Sequence, residues 1–116
     1  MLKETIKYIE YKGEKYPLVF NLNVMEKIQD EYKTIDAWGA LTDGESGEVN
    51  VKALIFGITE MVNEGLDIEN EENGTNRPFI THKKAGRMLS DIGVSELTKT
   101  ANDLVVESTV DDSKNA

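Results

Sequence analysis

The longest apolar stretch, Val49 to Gly65, limits most what this chain can fold into. At about 100° per residue, Val51, Leu54, Ile55, Ile58, Met61 and Val62 fall within an arc of about 120°. That arc predicts an amphipathic helix laid on a core and ended by Gly65. Phe56 falls on the far side, near Lys52 and Asn63. Either a second helix covers that side or Phe56 stands exposed for a partner. The stretch falls short of the ~20 apolar residues a membrane span needs, and the N-terminus lacks the apolar core of a signal peptide. No membrane partner is expected.

The first twenty residues alternate with a period of two. Ile6, Tyr8 and Glu10 point one way; Lys7, Ile9 and Tyr11 point the other. Lys12-Gly13 supplies a turn and Lys15 to Phe20 returns, with Pro17 placing that strand at an edge or near its start. A lone hairpin is marginal, so this one must pack on helices or pair with another chain. Asn23 then reads as the cap of a helix, with Glu26 reaching back to it and Val24, Ile28 and Tyr32 forming one stripe flanked by Met25. A short helical turn over 36–41 is expected to bury Trp38 and Leu41, and the two glycines of 43–47 read as a loop.

Beyond Gly65, the acidic run 67–73 also reads as a loop. Thr81 caps a predicted helix with Ala85, Met88, Leu89 and Ile92 on one face and Gly93 as its stop. Ser95 caps a last helix carrying Leu97, Ala101, Leu104 and Val105. The expected fold is α+β, mostly helical: an N-terminal β-hairpin followed by about four helices. With 116 residues, 39% hydrophobic and 30% charged, the chain suits one domain over 1–108 and a flexible acidic tail over 109–116.

Charge narrows the function. The net charge is −9, and residues 21–79 alone sum to −9. That field repels phosphate backbones and disfavours nucleic acid. The acidic run fails as a calcium loop: with Gly74 at the sixth position Ile80 falls at the twelfth, and with Asp67 at the first Glu72 falls where glycine is required. There is no cysteine, and the single histidine, His82, has no acid or serine placed by sequence to form a triad. No phosphate-binding glycine motif is present. The chain therefore reads as non-enzymatic, with no cofactor and no metal.

The layout over 85–103, helix–Gly93–helix, invites comparison with a helix-turn-helix. Lys99 and Asn102, however, fall where its second helix should be apolar, and Ser95, Glu96 and Asp103 would face DNA. More telling are Lys83 and Lys84, in the first turn of a predicted helix, where the macrodipole disfavours cations; Arg87 adds to the same face. Either solvent screens them, or the 67–72 segment folds back to pair with them, or they form a basic patch for a partner.

The stretch Tyr11-Lys-Gly-Glu-Lys-Tyr-Pro-Leu-Val-Phe-Asn-Leu-Asn-Val-Met-Glu-Lys-Ile-Gln-Asp-Glu-Tyr32 resembles the start of tail assembly chaperones from siphovirus-type phages and prophages of Gram-positive bacteria. Arg77-Pro-Phe-Ile-Thr-His-Lys-Lys-Ala-Gly-Arg-Met-Leu-Ser-Asp-Ile-Gly93 is similar to their C-terminal helical part, so the likeness spans roughly residues 5–107. The resemblance implies a small acidic protein that binds the aggregation-prone tape measure protein in the bacterial host cytoplasm. It would hold that client soluble until the tail tube polymerises and be absent from the mature virion. A homo-oligomer fits the same picture. No binding residue carries over from the family; from their own placement, Met25, Phe56, Lys83, Lys84 and Arg87, with the hairpin, are where partner contacts would fall. A phage minor structural or head–tail joining protein is the alternative, and a helix-turn-helix regulator stands behind both.

Overall fold

The structure, a computed structural model, describes the backbone of residues 5–44 and 47–114 and side chains as far as Thr109. The fold is α+β and mostly helical. Two antiparallel strands, β1 (Ile6–Tyr11) and β2 (Glu14–Val19), precede α1 (Leu22–Tyr32), α2 (Ile35–Thr42), α3 (Val51–Asn73), α4 (His82–Ile92) and α5 (Val94–Lys114). Among the described residues there are thus five helices, the short turn expected over 36–41 being α2. Positions 45 and 46 of the predicted 43–47 loop lie outside the described residues, as do the side chains of most of the predicted tail. The α5 backbone runs past position 109 to Lys114.

The hairpin follows its alternation. Ile9 and Tyr11 are buried while Ile6, Tyr8 and Glu10 are exposed. Lys12 and Gly13 both take positive φ (52° and 82°), the turn whose twist suits a two-residue hairpin. Because Tyr11 pairs with Glu14 across that turn, the hydrogen-bonded pairs recur at Ile9–Tyr16 and Lys7–Leu18. Pro17 opposite Tyr8 falls at a non-hydrogen-bonded pair, so its missing N–H removes no ladder bond.

Helix α3 is the axis on which the rest packs, and here the sequence reading is corrected. Gly65 does not end the helix. It lies buried in mid-helix, where an added Cβ would stand 2.9 Å from Pro17 Cβ and 3.0 Å from Pro17 O. Glycine costs about 1 kcal/mol against alanine in a helix, but here it lets β2 sit directly on α3. The helix ends instead at Gly74 (φ 67°), so the acidic run 67–73 is its last two turns. Carboxylates at a helix C-terminus oppose the macrodipole, which is why that run reads locally as a loop. One of them, Glu69, accepts a 2.6 Å hydrogen bond from Tyr8 Oη and ties the helix end to the hairpin.

Two N-caps also move. Asn21, not Asn23, caps α1: its Oδ1 accepts from Val24 N (3.2 Å) while its Nδ2 donates to Glu64 (2.8 Å). Asn23 Nδ2 donates to the same carboxylate (3.0 Å), so Glu26 has no capping box to close. At the last junction, Gly93 serves both helices. Its N–H donates to Leu89 O and its C=O accepts from Leu97 N, so Ser95 falls inside the first turn of α5 rather than capping it. Leu41, expected in the core, is 38% exposed, whereas Trp38 is buried as expected and donates from Nε1 to Ala53 O at 2.8 Å. Residues 75–81, between α3 and α4, run as an extended strap along α3. Asn70 Nδ2 donates to Arg77 O (3.0 Å) and its Oδ1 accepts from Arg77 N (3.0 Å). Asn63 does the same for Ile80, at 3.0 and 2.7 Å.

Candidate functional site

The strap fixes where α4 begins, and α4 in turn forms one wall of an open groove. The groove encloses about 630 Å³ between the end of α1, the first half of α3 and the start of α4. Tyr32, Ile55 and Phe56 make its apolar floor; Val51, Glu31, Lys52, His82 and Lys83 carry its rim. Phe56 stands at the centre. Its ring meets Tyr32 edge-on (centroids 5.7 Å apart, planes at 70°) and His82 at a tilt (6.1 Å, 59°). Three helices thus contribute one ring each to a continuous row.

Local sequence explains each placement. Val51, expected in the core stripe, is 51% exposed. Asn50 caps α3 by accepting from Ala53 N (2.9 Å), which places Val51 in the helix's opening turn, beyond the core and at the groove's edge. Gly86 of α4 faces Ile55 of α3: a Cβ there would meet Ile55 Cδ1 at 3.5 Å, an ordinary van der Waals contact. Partial burial in this wall, with a smaller effect from the Glu31 charge, raises the Tyr32 phenol above its usual pKa.

Of the five residues singled out in sequence, the structure brings Phe56 and Lys83 together in the groove. Phe56 is half-buried, with the Tyr32 and His82 rings as neighbours. Arg87 is exposed one turn beyond Lys83 on the same face of α4. Lys84 turns the other way: its ammonium lies 5.2 Å from the Tyr16 ring centroid, where Arg77 also approaches at 5.1 Å. Met25 packs half-buried against the core and does not line the groove. The fold-back of 67–72 onto the lysines does not occur, because that segment belongs to α3 and Glu69 is bonded to Tyr8. Among the described residues, neither Lys83 nor Arg87 has an ion-pair partner.

Tyr32 and His82 as groove residues escaped sequence reasoning, since nothing local connects positions 50 residues apart. Elsewhere, Leu22 (67% exposed), Phe79 (55%) and Val106 (58%) are apolar side chains exposed outside the groove, Phe79 beside Asn23 and Val24 and Val106 beside Ile35 and Val105. Among the described residues there is no cluster of His, Cys, Asp or Glu arranged for a metal ion, and no helix is long and apolar enough to cross a membrane. Comparison with protein-family models, with curated proteins and with solved structures gave no match.

Proposed function

We propose that this protein is a non-enzymatic tail assembly chaperone of a siphovirus-type phage or prophage of a Gram-positive bacterium. In this reading it binds the tape measure protein in the host cytoplasm, keeps it soluble until tail tube subunits polymerise, and is left out of the mature virion. The observation that carries the reading is the groove floored by Tyr32, Ile55 and Phe56. It gives a small acidic domain a place to cover an apolar stripe of a client, while the net charge of −9 keeps the complex dispersed. The hairpin-then-helix layout of residues 11–32 accords with the family resemblance. The partner is a protein, with no cofactor, nucleic acid or membrane in the mechanism.

A second reading, a minor structural or head–tail joining protein, draws on a different observation. Leu22, Phe79 and Val106 are large apolar side chains exposed outside the groove, as in a subunit built into a larger assembly. A helix-turn-helix role has less behind it. Lys99 on α5 is paired with Asp103 at 2.9 Å, and Glu96 and Glu107 on the same helix would repel phosphate.

Co-expression with a tape measure protein encoded beside it, scored for client solubility with and without this chain, tests the reading. Rescue with co-purification is the expected outcome, and Phe56→Asp should abolish it. An insoluble client in the presence of abundant folded chain would overturn the chaperone role, and finding the chain at fixed stoichiometry in purified particles would favour the structural one.

A further inference from the structure

The groove's rim has a charge unlike that of the rest of the molecule. Lys52 and Lys83 stand at its edge against a single acid, Glu31, and Arg87 continues the basic side one turn further along α4. The start of α4 adds the positive end of a helix dipole to that same edge. All this belongs to a chain whose net charge is −9. A basic partner would be attracted to the molecule at large yet repelled at this groove. An acidic one would be repelled at a distance and held only here.

We propose that the groove receives an amphipathic helix of a partner protein that bears carboxylates beside its apolar stripe. The apolar stripe would lie on the row formed by Tyr32, Phe56 and His82. The centroid steps of 5.7 and 6.1 Å lie close to the ~5.4 Å pitch of an α-helix, so side chains one turn apart on the guest meet successive rings. Its flanking carboxylates would meet the ammonium groups of Lys52 and Lys83, with Arg87 reaching the guest one turn on. The inference rests on the chaperone reading for the presence of a client, and it names the kind of client segment that this site selects.

The test uses the full chain and a fluorescein-labelled amphipathic peptide of about four helical turns. Leucines are spaced at i, i+4 and i+7 along one face, and glutamates flank that face. The control peptide has lysine at every glutamate. Fluorescence anisotropy is read at about 0.1 M ionic strength, where a Debye length of ~10 Å damps the repulsion from the molecule at large but not the contacts in the groove. The acidic peptide should bind about fivefold to tenfold more tightly, what two or three exposed ion pairs supply, and salt of about 1 M should close the gap. Lys52→Glu combined with Lys83→Glu should reverse the preference. Both side chains are exposed, so that variant folds as the parent does. Phe56→Ala should weaken both peptides alike.

Equal binding of the two peptides, or a preference untouched by the double reversal, would overturn the proposal. So would sedimentation showing that a second copy of this chain fills the groove, with peptide binding lost as the dimer forms. The two readings fail separately. If the parent rescues tape measure solubility and the double reversal rescues equally well, the groove assignment falls while the chaperone role stands. If the parent rescues nothing but retains the peptide preference, the chaperone role falls and the groove's selectivity remains.

Discussion

The indole of Trp38 occupies the space that a side chain at position 57 would need: a Cβ added to Gly57 would stand 2.2 Å from Trp38 Cζ2. The same indole donates from Nε1 to Ala53 O, one turn earlier on α3, at 2.8 Å. Glycine at 57 and tryptophan at 38 therefore form one device that brings α2 against α3. Gly57→Ala should destabilise the protein by about 3 kcal/mol, from overpacking and a strained indole hydrogen bond, despite alanine's better helix propensity. Urea unfolding followed by far-ultraviolet circular dichroism measures it, and Trp38→Leu in the same background, which removes the chain's single tryptophan, should recover part of the loss.

A milder version holds at Gly65. An added Cβ would stand 2.9 Å from Pro17 Cβ and 3.0 Å from Pro17 O, and the backbone oxygen cannot swing aside. Gly65→Ala should cost about 1–3 kcal/mol net of the ~1 kcal/mol gained in helix propensity. The accompanying loss should appear in hairpin amide protection before it appears in α5.

Asn63 and Asn70 each trade a pair of hydrogen bonds with the backbone of the strap, at Ile80 and Arg77. Replacing Asn63 by alanine orphans both backbone groups of Ile80, a buried residue, and should cost about 1–3 kcal/mol. Hydrogen exchange at the Ile80 amide should accelerate more than at any amide of β1. Equal acceleration throughout would mean the clamp has no local role.

Tyr8 titrates above the ordinary tyrosine pKa, first because its hydroxyl donates to Glu69 and then through burial and the Glu69 and Glu72 charges. A folded-state pKa above the unfolded one means the contact favours folding while the phenol is protonated and loses that effect as pH rises through the raised value. Ultraviolet difference titration should place Tyr8 above a free tyrosine. Glu69→Gln should move it back down.

Two hydroxyls on α5, Thr98 Oγ1 and Ser108 Oγ, are buried and have no hydrogen-bond partner among the described residues. Thr98→Val and Ser108→Ala should each be neutral or stabilise by up to about 1 kcal/mol, since an unsatisfied polar group leaves the core. Thermal unfolding would reveal it as a small rise in Tm, and a drop for either would show that the hydroxyl has a partner in solution.

The elements whose signals are local were legible in the sequence. The alternation of β1, the Lys12-Gly13 turn, and α4 between Thr81 and Gly93 all depend on residues within one or two turns of each other. The misreadings share one cause. Gly65 looks like a helix stop until Pro17 of β2 is seen to need its missing side chain, and Asn21 cannot be preferred to Asn23 as a cap without Glu64 bridging them. The candidate site was legible in part for the same reason. Phe56 could be placed off the core stripe by angle alone, and the misfit of Lys83 with the helix dipole was visible at once. That α1, α3 and α4 would bring Tyr32, Phe56 and His82 into one row depends on contacts between helices.

The seating of Pro17 on Gly65 has a consequence for the order of synthesis. The hairpin leaves the ribosome before the helices, yet the helix that covers its Pro17 and Val19 side is not complete until more than forty residues later. At about 5–20 residues per second the nascent strand pair waits on the order of 2–9 s with that face bare. A two-stranded sheet alone is marginal, so during that interval the hairpin is transient, and its permanence dates from the moment α3 passes Gly65. Slowing translation between codons 20 and 65 should therefore lengthen the exposure of one apolar face, and slowing it after codon 74 should not.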